Sequence, residues 1–135
     1  MSNIFSKIVA GEIPAHVVAE TIDFLAFLDI APLAVGHVLV IPKKEVDYIF
    51  DLDDETYTGL HIFAKIVAAG VKKAIPCQRI GVTVIGLEVP HAHIHLIPIN
   101  NVDDMNFSKP KLKLSSEELA DIAARIKAAL RTIED

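Results

Sequence analysis

The sequence has one cysteine, Cys77, among 135 residues. No intrachain disulfide can form, and four-thiolate zinc frameworks are excluded. A reducing, cytoplasmic setting is the expectation. Basic residues are also scarce: 13 Lys and Arg stand against 18 Asp and Glu, giving a net charge of −5. Without a basic excess to neutralise many phosphates, general nucleic-acid binding is disfavoured; one small phosphorylated ligand needs only a few local donors. Long apolar runs are missing despite a mean hydropathy of +0.42. The longest charge-free stretches, 30–42 and 89–102, are too short to cross a bilayer and are broken by Pro, Gly, His or Asn. MSNIFSKIVAGEIP lacks the apolar segment and small-residue cleavage site of a signal peptide. A soluble protein that stays where it is made is expected, with no membrane partner. There are no internal repeats and no low-complexity tract.

What remains is core material. Apolar residues make up 52% of the chain and charged residues 23%, enough for one compact domain over residues 1–135. IFSKIVAGEIP reads as a short amphipathic helix, with Ile4, Phe5, Ile8 and Val9 on one side and Gly11 as its stop. Strands are expected at 16–20 and 23–30, joined by a turn at 21–23, and at 37–42, whose unbroken apolar run implies burial on both faces. Apolar spacing then changes to a helical period over 53–74, with acidic residues at the start and Lys72–Lys73 at the end. Gly70 is a weak point within it. β-branched residues predict strands at 79–89 and 91–99. A polar connector at 100–114 has no periodic pattern. Ser115 and Glu118 form a capping box for a helix over 115–134, striped by Leu119, Ile122, Ile126, Leu130 and Ile133. The expected class is α+β, an antiparallel sheet of about five strands with a long central helix, a short N-terminal helix and a C-terminal helix.

Three of the six histidines stand at His91, His93 and His95. In a strand, alternate side chains share a face, so the imidazoles form a row while Ala92, Ile94 and Leu96 point into the core. Three readings compete. The row is a satisfied polar face of a sheet. Or it is a metal site, two imidazoles being completed by His37, His61 or a carboxylate. Or it is catalytic, one imidazole attacking an electrophilic phosphorus through one nitrogen while the other donates to a backbone carbonyl that fixes the tautomer.

His91-Ala92-His93-Ile94-His95-Leu96-Ile97 resembles the H-φ-H-φ-H-φ-φ signature of the histidine-triad (HIT) proteins, φ being apolar. IFSKIVAGEIPA, LAFLDIAPLAVGHVLVIPKK and VPHAHIHLIPI resemble the Hint-like branch of that family in the same order, covering most of 3–99, the expected core. The resemblance implies a HIT fold, a homodimer, and a metal-free hydrolase or transferase acting on the α-phosphorus of purine nucleoside phosphoramidates or related nucleotides. His93 matches the nucleophile that forms a nucleotidyl-histidine. His95 matches the residue contacting phosphate and leaving group, and His91 and His37 match supporting histidines. Asp29 matches the ribose-binding carboxylate. Ile4, Phe5, Ile8, Phe27 and Ile30 match positions around the base, and Gly86, Glu88 and Val89 complete the expected substrate contacts. Lys43 and Lys44 follow the third strand, as lysines do in the family, and are expected to be solvated.

The departures are local. Family members commonly carry an Asn and a glycine-rich loop ending Gly-Gln-x-Val-x-His before the triad. Here the loop is shorter, Leu87 replaces the Gln, Ile85 or Gly86 replaces the Asn, and Glu88 adds negative charge. This leaves two alternatives: a nucleotide-binding regulatory module with little turnover, and a metal-dependent hydrolase. Asn3 and Ser6 stand where some bacterial relatives have a zinc-binding Cys-x-x-Cys, so no zinc of that kind is expected. His61 is expected at the surface or an interface, and Cys77 as incidental.

Overall fold

In the computed structural model, which describes residues 3–134 apart from the side chains of 133 and 134, apolar alternation decides the layers. Helix α1 (Ile4–Val9) precedes strands β1 (Val17–Glu20), β2 (Phe24–Leu28) and β3 (Val38–Pro42). Helix α2 (Asp54–Ala74), strands β4 (Arg79–Thr83) and β5 (Ile94–Ile99), and helix α3 (Ser116–Glu134) follow, with short 3₁₀ turns at Ile49–Asp51 and Val102–Met105. The strands form one antiparallel sheet in the order β1-β2-β3-β5-β4. This is the expected α+β architecture. No helix among the described residues is long and apolar enough to cross a membrane.

Every residue of β3 is buried, because both faces of the sheet are covered. Ala26, Leu28, Val38, Val40, Ile94 and Leu96 meet Leu60, Phe63 and Val67 of α2 and Ile122, Ile126 and Leu130 of α3. The alternate residues Leu25, Phe27, Leu39 and Ile41 form a smaller core with Phe5 of α1. Each large aliphatic side chain so buried contributes about 1.5–3 kcal/mol. Helix α2 begins where expected: the Asp53 side chain accepts from Thr56 N at 2.7 Å, and Asp54 and Glu55 occupy its first turn. The Ser115–Glu118 capping box opens α3, with reciprocal bonds of 3.0 and 3.1 Å. The expected stripe of α3 is buried at Leu119, Ile122, Ile126 and Leu130; the Ile133 side chain lies outside the described residues.

Several expectations need correction. The strand at 91–99 starts only at Ile94, and the strand at 79–89 stops at Thr83. Backbone groups ahead of β5 are engaged elsewhere: His91 N donates to Val89 O at 2.8 Å and Ala92 N to Val46 O at 2.7 Å. The ladder with β3 therefore begins at the Val40–Ile94 pair. The strand expected at 23–30 ends at Leu28. Gly70 is a point of close approach: a Cβ there would lie 2.5 Å from Leu130 Cδ2, so its absence lets α2 and α3 pack. Lys43 is not merely solvated, since its Nζ lies 2.7 Å from Glu20 Oε2. The connector is ordered by its own polar groups. Asn101 and Asp104 cap each other across the turn at Val102–Met105, and Leu112 N donates to Pro32 O at 2.8 Å.

Candidate functional site

The sheet face under α1 does not close completely. Between α1, the end of β2, the start of β3, the 85–89 loop and the connector lies a cavity of about 600 Å³. All the expected substrate-contacting residues line it: Asp29, Ile4, Phe5, Ile8, Phe27, Ile30, Gly86, Glu88 and Val89. His37, His93 and His95 line it as well. His91 does not; it is fully buried beside the site. Ile30 and Leu87, 71% and 88% exposed, stand at its mouth rather than in a core.

Hydrogen bonds to backbone atoms assign the imidazole tautomers, because a carbonyl can only accept and an amide N–H can only donate. His93 Nδ1 lies 2.7 Å from the His91 carbonyl and must donate to it, so in the neutral ring the lone pair sits on Nε2. Leu33 N donates to His37 Nδ1 at 3.0 Å, placing the proton of neutral His37 on Nε2. That Nε2–H faces His95 Nδ1 at 2.9 Å and donates to it. His95 then carries its proton on Nε2. No buried side-chain nitrogen or oxygen among the described residues lacks a partner. The Nε2 atoms of His93 and His95, which have none, are therefore open to the cavity. The site thus presents one lone pair and one N–H side by side, on rings whose centroids are 5.0 Å apart.

Burial sets the charge states. It lowers His37 to about 3, with repulsion from His95 adding to the effect, and lowers His95 to about 4, with His93 adding. His91 is also lowered by burial, against the opposing effect of the Pro42 carbonyl. Its Nε2 donates to that carbonyl at 2.7 Å, and its Nδ1 faces Ser6 Oγ at 3.5 Å. Asp29 Oδ1 accepts from Ala31 N at 2.9 Å, while burial raises its pKa. The Asp29–His37 approach of 3.7 Å joins a carboxylate to a neutral ring and is not an ion pair near neutrality.

Asp29, His37 and His95 bring one ligand atom each within 4.8 Å of one another. A cation there would need His37 Nε2 without its proton, which would orphan the Leu33 N–H or require an imidazolate. The hydrogen-bonded chain fits these contacts without either cost. His61 is exposed on α2, its Nδ1 2.9 Å from Tyr57 O, far along the chain from this cluster and no part of it. Asn3 and Ser6 are engaged differently from thiolate ligands: Asn3 Nδ2 donates to Pro90 O at 3.1 Å, and Ser6 Oγ donates to Glu45.

Sequence reasoning did not name Phe107 and Lys111 of the connector, which line the cavity, nor the apolar lining residues Ile13, Pro14, Ala15, Leu28 and Leu39. Phe107 sets its ring edgewise against His95, with centroids 4.9 Å apart, and against His37 at 6.2 Å. The signal was faint: a lone aromatic followed by lysines in a polar stretch.

Comparison with known proteins bears on the family and the fold. A family model described as the HIT domain matches residues 10–102. An adenosine 5′-monophosphoramidase of Schizosaccharomyces pombe is 37% identical over 134 residues, covering 97% of this chain and 100% of the relative. A second protein of that name, from Saccharomyces cerevisiae, is 41% identical over 97 residues, covering 70% of this chain and 61% of the relative. Among solved structures, a Hit-like protein of Bartonella henselae superposes with a TM-score of 0.84 at 35% identity, covering 95% of this chain and 96% of that one. A zinc-bound histidine triad family protein of Mycobacterium smegmatis gives 0.84 at 27% identity, covering 99% and 96%.

Proposed function

The chain belongs to the HIT family, and from that premise we propose that it is a nucleotide hydrolase acting on the α-phosphorus of purine nucleoside phosphoramidates or related nucleotides. The observation that carries this reading is the tautomer pair: an open Nε2 lone pair on His93 beside an open Nε2–H on His95. His93 Nε2 attacks phosphorus as the P–N bond to the leaving amine breaks, and the leaving nitrogen takes a proton from solvent and departs as the neutral amine. His95 Nε2–H donates to the phosphoryl oxygens or the leaving group as charge develops there. Water then attacks the nucleotidyl-histidine, the P–Nε2 bond breaks, and the nucleoside monophosphate is released.

His91 and His37 act as positioning residues. The His91 carbonyl holds His93 in the attacking tautomer, and His37 holds His95 in the donating one. Asp29 is placed to accept from ribose hydroxyls, and Phe5, Phe27 and Ile8 offer apolar walls for a flat base. The two similar adenosine 5′-monophosphoramidases support a phosphoramidate substrate with adenine as base. A homodimer joined through β4 and α2 completes the proposal.

The test is turnover of adenosine 5′-phosphoramidate by wild type and by His93→Ala, each with a chelator present. We expect rapid wild-type turnover and a loss of about 100-fold or more in the variant. Abolition of wild-type activity by chelator would favour the metal-dependent reading. One observation favours a second reading. The 85–89 loop offers Leu87, 88% exposed, in place of an amide, on a turn set by Gly86 at φ +75°. A binding module with little turnover would bind nucleotide and release no product in the same assay.

A further inference from the structure

Three charged side chains line the cavity: the carboxylates Asp29 and Glu88 and the ammonium of Lys111. With His37 and His95 held neutral by burial, the fixed charges sum to one negative (two carboxylates, one ammonium). A phosphate entering this cavity meets Lys111 as its one fixed cation among the lining residues. The 85–89 loop brings only apolar side chains and the carboxylate of Glu88, so it offers no side-chain donor to a phosphate beside Lys111.

The ammonium is held in place. Lys111 Nζ donates to the backbone carbonyls of Phe107 and Lys109 and lies 6.0 Å from the Phe107 ring centroid. Phe107 in turn packs edgewise on His95. An ammonium has three donors, so with two engaged by carbonyls one N–H is left for a ligand. Leu112 N, donating to Pro32 O, ties the segment to the loop that follows Asp29. The charge of Lys111 adds to the burial that lowers His37 and partly offsets the burial that raises Asp29.

We propose that Lys111 is a specificity-determining residue: presented by the 100–112 segment at the rim of the cavity, its ammonium takes an anionic phosphate oxygen and selects nucleotides over nucleosides. The inference rests on the nucleotide reading above and adds the residue that recognises the phosphate charge. A residue serving only to hold the segment together would affect all ligands of the cavity alike. Lys111 as a phosphate partner affects only those that carry the anion.

The experiment is calorimetric titration of the full-length protein with AMP and with adenosine, at low and high salt. Wild type, Lys111→Met and Lys111→Arg are compared, and thermal melting verifies that each is folded. We expect Lys111→Met to weaken AMP by about tenfold or more, as for loss of a hydrogen bond to a charged group. Adenosine affinity should stay within about twofold. Lys111→Arg should restore most AMP affinity, and the salt sensitivity of AMP binding should flatten in Lys111→Met. Equal weakening of both ligands, or no change in either, overturns the proposal. Wild type that binds adenosine but does not discriminate AMP from it overturns the proposal while leaving the nucleoside pocket standing. Wild type that binds neither ligand overturns the nucleotide reading and this proposal with it.

Discussion

A neutral imidazole presents one lone pair and one N–H, and here backbone atoms decide which nitrogen carries which. The His91 carbonyl, the Pro42 carbonyl and the Leu33 amide each settle one ring. The same burial has a measurable consequence for stability. His37 and His95 titrate in the folded protein near 3 and 4, below the ordinary histidine value, and His91 is shifted in the same direction. Between the folded and unfolded values the unfolded chain binds more protons, so stability must fall as pH falls. The full contribution is present above about pH 6.5 and is lost progressively below it, at up to about 1.4 kcal/mol per pH unit for each histidine. Urea midpoints measured at about pH 7.5 and about pH 5 should therefore differ clearly, with the acid value lower. His95→Asn should show a smaller difference, having lost one histidine's share. Equal midpoints for wild type at the two pH values would refute the neutral-burial account. The histidines themselves were legible in the sequence because their type and spacing are unusual. Their hydrogen-bond partners were not, since Leu33 N, Pro42 O and His91 O are backbone atoms delivered by tertiary contacts.

Elements were most legible where local chemistry decides them. Asp53 and Ser115 cap α2 and α3 as their side chains require, and the apolar period alone located the helical cores. Strand ends were less legible, because a ladder stops where its backbone groups find other partners. The β-branched run before Val89 leaves the sheet after Thr83, which pairs with His95. Beyond that pair the segment leading into β5 turns away, its amides bonding Val46 and Val89. Gly70 shows the opposite case, a residue poor for a helix and required by its packing. Gly70→Ala gains about 1 kcal/mol in helix propensity but drives a methyl to 2.5 Å from Leu130 Cδ2 and 2.6 Å from its Cγ. Overpacking of this kind costs about 1–3 kcal/mol. Thermal unfolding should show Gly70→Ala destabilised by about 1 kcal/mol, with Leu130→Ala in the same chain removing the clash and giving less than the sum of the two single losses. Stabilisation by Gly70→Ala alone would show that α3 can move aside.

At the scale of the whole molecule, the connector gave no periodic pattern because its order comes from Asx-type turns and from closure onto the 29–37 loop, which no period records. Assembly is likewise tertiary information. Strand β4 forms one edge of the sheet, and Val82, paired with Leu96 on the helix-covered face, is 59% exposed. A second copy pairing there would extend the sheet and cover that side chain. Light scattering after gel filtration at micromolar concentration should give twice the chain mass for wild type and a smaller species for Val82→Asp. A monomeric wild type would contradict the dimer.

The proposed reaction turns on the Nε2 lone pair of His93, and its covalent intermediate offers the most direct test. Wild type and His93→Ala would be mixed with adenosine 5′-phosphoramidate, quenched in alkali within the first turnover, and measured by intact-mass and peptide mass spectrometry. A nucleoside-monophosphate adduct is expected on the peptide carrying His93, absent from the variant and absent without substrate. An adduct on another residue, or turnover by His93→Ala at the wild-type rate, would contradict it.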